Sequence, residues 1–128
     1  MGVIQRMEGN SEAAAMHLEQ ARAIFAAHGD RSREAQALGN LAPLYSKQGK
    51  IDEAAAAYRA AAAIFDELGD KDRQGETLLA LGVMQFREGR RQEGLAAYEA
   101  GLMLIKNPTA QQKRTRRLLK MRQRVAGT

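Results

Sequence analysis

The chain has 128 residues, 24 of them alanine, with no Cys, no Trp, two Pro and 45% hydrophobic residues. That is the length of one domain, and apolar content held so largely in one-carbon side chains points to closely packed helices and excludes a β-sandwich with a thick centre. Zero Cys removes disulfides, thiolate nucleophiles and zinc-thiolate sites, and with no charged-then-apolar leader in the sequence we expect a cytoplasmic protein without a membrane span.

The formal net charge of +5 is unevenly distributed. All 15 acids and 12 of the 20 basic residues precede residue 106, so that part carries −3, and the stretch from Lys106 onward carries +8. Basicity is a property of the tail.

Gly9, Gly49 and Gly89 recur every 40 residues, and the residues that follow them stay in register. Leu18, Tyr58 and Tyr98 come nine positions later, then Ala21, Ala61 and Gly101, then the pairs Ile24-Phe25, Ile64-Phe65 and Leu104-Ile105. The first two copies close with Gly29-Asp30 and Gly69-Asp70, and Met1-Gly2-Val3-Ile4-Gln5 is echoed by Leu81-Gly82-Val83-Met84-Gln85. Apolar spacings of three and four put 18, 21, 24, 25 and 58, 61, 64, 65 on one helical face. In chain order these patterns predict helices near 2–8, 10–28, 31–48, 51–68, 71–88 and 91–106. Glycines end them, and Asp30 and Asp70 cap those that follow. A last helix is expected near 109–124, started by Asn107 as cap with Pro108 in its first turn.

These residues resemble a tetratricopeptide repeat over about residues 1–106. The resemblance rests on Leu81-Gly82, on Tyr45 four before a turn glycine, and on Asp52-Glu53-Ala54, Tyr58 and Ala61. The period is six residues longer than the common 34, as in longer-repeat members among bacterial regulatory proteins and cytoskeletal and polarity adaptors. Ala42 replaces the small glycine, Gln5 and Gln85 replace the aromatic and Gly94 replaces the alanine, departures expected to weaken individual packing contacts. The fold implied is an all-α, right-handed α-solenoid in a single domain, 1–128. It has a partial repeat at 1–29, repeats at 30–69 and 70–107, and a basic C-terminal capping helix at 108–126. Stacked helix pairs cover apolar stripes that no single pair could cover alone, and small residues at the crossings let axes approach.

The resemblance further implies that the first helix of each pair lines a concave surface. Its inward positions then include Val3, Arg6 and Met7; Gln36, Asn40, Pro43, Ser46 and Lys47; and Glu76, Leu79, Ala80, Val83, Phe86 and Arg87. Positions six before the turn glycine are Val3, Pro43 and Val83, so the Lys and Asn clamp of chaperone-binding relatives is not present. We expect a peptide or helix of a partner protein to meet Leu79, Val83 and Phe86, with Arg87 and Lys47 on its acidic groups, and Asn40 and Pro43 beside them. The alternative is that Leu79 and Val83 pack between helices under the final helix. Pro43 inside a helix deletes one hydrogen bond and crowds the carbonyl of Gly39, giving either a groove-widening kink or a tolerated irregularity.

The tail carries Lys113, Arg114, Arg116, Arg117, Lys120, Arg122 and Arg124 without an acid, beside a narrow stripe of Leu118, Leu119, Met121 and Val125. One reading makes it the terminal cap; the other makes it a surface for nucleic acid or another acidic partner. No aromatic interleaves the basics, which argues against base stacking. His17 and His28 lie eleven apart on a packing helix, and the acids Asp66, Glu67, Asp70 and Asp72 lack calcium-loop spacing. There is no phosphate-cradling glycine loop and no nucleophile elbow. We therefore expect no catalysis, cofactor or metal. Met1 falls where the repeat expects an internal leucine, so we expect either a piece of a longer repeat protein or a homodimer covering the uncapped N-terminal repeat.

Overall fold

The structure is a computed structural model that describes residues 2–127, with side chains described for residues 10–125. Six helices account for its regular structure: α1 (Gly2–Ala27), α2 (Arg31–Lys47), α3 (Ile51–Glu67), α4 (Lys71–Arg87), α5 (Arg91–Leu104) and α6 (Ala110–Gly127). They group into two compact units, Met1–Leu68 with α1 to α3 and Gly69–Thr128 with α4 to α6.

The turns repeat at half the 40-residue period. Gly29, Gly49, Gly69 and Gly89 have φ of 69°, 79°, 72° and 87°, the left-handed conformation that closes a helix at little cost only for glycine. The residue after the glycine reaches back five positions, Asp30 N to Phe25 O at 2.9 Å, Lys50 N to Tyr45 O at 2.9 Å and Arg90 N to Gln85 O at 2.8 Å, the Schellman bond. Asp30 and Asp70 then accept from the amides of Arg33 and Arg73 at 3.2 and 3.1 Å, capping α2 and α4 as expected.

Two boundaries differ from the sequence reading. The chain runs helically through Gly9, so the expected helices 2–8 and 10–28 are one helix, α1. A helix of seven residues is too short to hold itself, and continuing through the glycine keeps every backbone bond. The start of α6 is set by Thr109, not Asn107: Gln112 N donates to Thr109 Oγ1 at 3.0 Å and Thr109 N donates to Gln112 Oε1 at 2.8 Å. This capping box satisfies two amides reciprocally, which Asn107 ahead of Pro108 could not do.

Within the first unit, α2 meets α3 through Ala35, Ala42, Ala54 and Ala61, each 0% exposed. Ile64, Phe65 and Leu38 pack against Ala35 and Ala61. In the second unit the positions 40 residues later, Gly75, Gly82, Gly94 and Gly101, are all glycine and all buried. A Cβ on Gly82 would stand 2.5 Å from the Gly94 carbonyl oxygen, and one on Gly94 would stand 2.6 Å from that of Gly82. Gly75 and Gly101 repeat the relation at 2.6 and 2.5 Å. The Cα hydrogen in place of each missing Cβ therefore points at the facing carbonyl, in backbone-to-backbone contact of the Cα–H···O kind. The sequence reading has Gly94 weakening a packing contact; the structure has it permitting a close backbone approach of α4 and α5.

Polar side chains tie the elements together. Glu34, 6% exposed, accepts from Arg31 at 2.8 Å, and the same guanidinium reaches Glu67 at the end of α3 at 2.8 Å. Gln85, 1% exposed, donates to Glu93 on α5. Tyr45 donates to Glu19 on α1 at 2.7 Å. Burial first, then that hydrogen bond, pushes the Tyr45 phenol up from 10.0 to about 12. The folded chain thus keeps a proton that the unfolded chain loses. The contribution is complete below pH 10 and is lost as pH climbs through about 12. A spectrophotometric phenol titration should show this late-titrating tyrosine, and Glu19→Gln should move its midpoint down.

Candidate functional site

On α2, Gln36, Asn40, Pro43 and Lys47 stand at i, i+4, i+7 and i+11, one side of the helix, and all four are exposed. The opposite side is consumed by the alanine contact with α3, so this stripe is what α2 offers to solvent. The matching positions on α4 are Glu76 and Arg87, both exposed, with Ala80 and Val83 half-buried between them. Lys47 and Arg87 each occupy the last turn of their helix, where the carbonyl ends favour a cation. Helix α2 runs unbroken through Pro43. A Cβ on Gly39, whose carbonyl the proline ring crowds, would have nothing within 4 Å.

Of the residues expected on the groove, Asn40, Pro43, Lys47 and Arg87 are accessible and Val83 partly so. Leu79 and Phe86 are 7% and 8% exposed, packed with Tyr98 of α5 and Leu119 of α6. A partner reaches neither without displacing that cluster. They lie one step around the helix from the 76–80–83–87 stripe, on the side that α5 and α6 cover. Val3, Arg6 and Met7 fall outside the residues whose side chains are described.

Helix α6 is docked by Leu119, 8% exposed, and by the Tyr98 hydroxyl, which donates to the Gln112 carbonyl at 3.1 Å. Its basics face outward: Lys113, Arg114, Arg116 and Arg117 are exposed and Lys120 half-buried. Arg116 Nε and Lys120 Nζ stand 3.7 and 3.0 Å from Glu99 Oε1. These are ion pairs without hydrogen-bond alignment.

The remaining polar candidates resolve into structural roles. Asp70 caps α4, Glu67 pairs with Arg31, and Asp72 accepts from the Lys106 amide at 3.2 Å, holding the chain as it leaves α5. His17 and His28 are exposed, and His28 Nδ1 lies 3.0 Å from the Ile24 carbonyl of its own helix. Among the described residues no three His, Asp or Glu side chains converge as a metal site, and no helix is long and apolar enough to cross a membrane.

One feature was missed from the sequence: a pocket between α5 and α6 over Leu102, Met103 and Pro108. A signal was present, because Met103 occupies the register of Ala63, an exposed position of α3.

Helix-turn-helix pairs in 40-residue register, crossing on small residues and closed by left-handed glycines, define an all-α helical-repeat protein. A tetratricopeptide repeat family model matches residues 1–67, over half of the chain, and the chain belongs to that family. No curated protein matches the sequence. Repeats of this family generally mediate protein–protein interaction and are typically non-catalytic.

Proposed function

We propose that the chain is a non-catalytic protein-interaction module, an adaptor that binds a peptide or helix of a partner along the exposed side of its first helices. The observation that carries this reading is the solvent-facing stripe Gln36, Asn40, Pro43 and Lys47 on α2, on a scaffold that otherwise commits its small residues to internal crossings. Val83 and Arg87 hold the repeat-equivalent positions on α4. Contacts are made by polar and cationic groups with Pro43 as the apolar anchor on α2, which favours acidic or carbonyl-rich segments. The repeats at 30–69 and 70–107 are the units of this module, and α6 serves as its terminal cap.

The test is a peptide library screened against the full chain, followed by Lys47→Glu combined with Arg87→Glu. Affinity for selected peptides should fall about tenfold while helicity stays unchanged, since both side chains are exposed. Undiminished binding by the double variant would remove this surface from the function.

A further inference from the structure

We propose that the groove between the end of α5 and the first turns of α6 is a second docking site, for an acidic amphipathic segment of a partner protein. The segment would present a large apolar side chain with carboxylates on either side of it. The groove is open to solvent and offers about 540 Å³, inside the roughly 300–1,000 Å³ span of ligand sites. Leu102, Met103 and Pro108 form its apolar part, and Met103 is 87% exposed, the most exposed of the large apolar side chains described. A methionine so placed suits a binding surface, because its unbranched thioether adapts to the shape laid against it.

Cations line the other wall. Lys113, Arg116 and Arg117 stand on the groove, and Lys120 and Arg124 continue the same side of α6 beyond it at helical spacing, over about 16 Å of helix at 1.5 Å per residue. Glu99 occupies Arg116 and Lys120. Lys113 and Arg117, the two cations beside the apolar wall, have no carboxylate in ion-pair range among the described residues. The groove thus joins buried-type surface to unspent positive charge, and the complementary chemistry is an apolar residue flanked by Asp or Glu.

A polyphosphate fits this groove less well. Three apolar side chains offer a sugar-phosphate backbone nothing to bond, and no aromatic lies among the basics to stack a base. A protein segment uses both walls at once. The site on α5 and α6 uses neither Lys47 nor Arg87, so its failure leaves the reading of α2 and α4 untouched, and the converse holds.

Fluorescence anisotropy with the full chain tests it. The probe is a labelled helical peptide carrying Leu at every third or fourth position between Glu residues. Its controls are the same peptide with Ser for Leu and a labelled single-stranded oligonucleotide of equal charge. Lys113→Glu with Arg117→Glu should weaken peptide binding about tenfold, Met103→Ser should weaken it severalfold, and Arg122→Glu, on another side of α6, should leave it unchanged. The proposal is overturned if the peptide does not bind at low salt. Equal binding of the Ser peptide overturns it as well, and so does tighter binding of the oligonucleotide. Should the double reversal lower helicity, Met103→Ser decides alone, and unchanged binding by it counts against the groove.

Discussion

Gly82→Ala should destabilise the protein by about 2–3 kcal/mol and lower its melting temperature by roughly 10 °C, although alanine is the better helix former by about 1 kcal/mol. The added Cβ would meet the Gly94 carbonyl oxygen at 2.5 Å and the Tyr98 amide nitrogen at 2.8 Å. Both are backbone atoms of α5, so no side chain can swing aside and the helices must part. Parting them loosens Leu79, Phe86 and Tyr98, which pack in the same cluster. Gly39→Ala is the matched control. It is also a helix-interior glycine, but its Cβ meets nothing within 4 Å, so the propensity gain stands alone and stability should rise by up to about 1 kcal/mol. Replacing Gly75, Gly82, Gly94 and Gly101 together by alanine should cost less than the summed single changes, because one separation of the helices relieves all four clashes. Urea unfolding followed by helicity checks all three; a neutral Gly82→Ala would show that the close approach contributes nothing.

The alanine and glycine sets show what could be read beforehand. Repeat register located α2 to α5 within two residues at most of their ends, because glycine turns and apolar spacing are local signals, while α6 runs three residues past its expected end. The α1 boundary differs because glycine permits a left-handed turn without compelling one, and a seven-residue helix ahead of Gly9 would not hold itself. The α6 cap differs in another way: Thr109 and Gln112 form a capping box legible as a local motif, whereas a cap at Asn107 rests only on the proline that follows it. The small crossings were legible as composition, but whether glycine at 94 loosens or tightens a contact depends on what faces it. That partner, Gly82, is twelve residues away in sequence and adjoining in space.

The candidate surface was legible in its polar half. Asn40, Lys47 and Arg87 lie where helical spacing puts them, and their exposure follows from the opposite face being apolar. The apolar half was not, since Leu79 and Phe86 satisfy the periodicity of a groove and of a core equally well. The packing of Tyr98 and Leu119 over them distinguishes the two. The groove over Met103 escaped because it needs the packing of α6 on α5, which no motif announces.

Phe86→Ala separates folding from recognition most sharply. Removing a ring that is 8% exposed and surrounded by Leu79, Tyr98 and Leu119 costs the transfer of the lost atoms plus the cavity left behind, about 3–5 kcal/mol. Small domains hold about 5–15 kcal/mol in total, so the unit Gly69–Thr128 loses a large part of its stability. Leu119 is the buried side chain that α6 gives that cluster among the described residues, so α6 should loosen first, seen as faster amide exchange along 110–125 before global unfolding. Peptide binding by this variant should fall in step with the folded fraction and recover on cooling or with a stabilising osmolyte. The Lys47→Glu and Arg87→Glu defect should not recover, because it removes charge from a surface that stays folded. A Phe86→Ala protein that keeps its melting temperature yet loses peptide affinity would place the ring in the binding surface instead of the core.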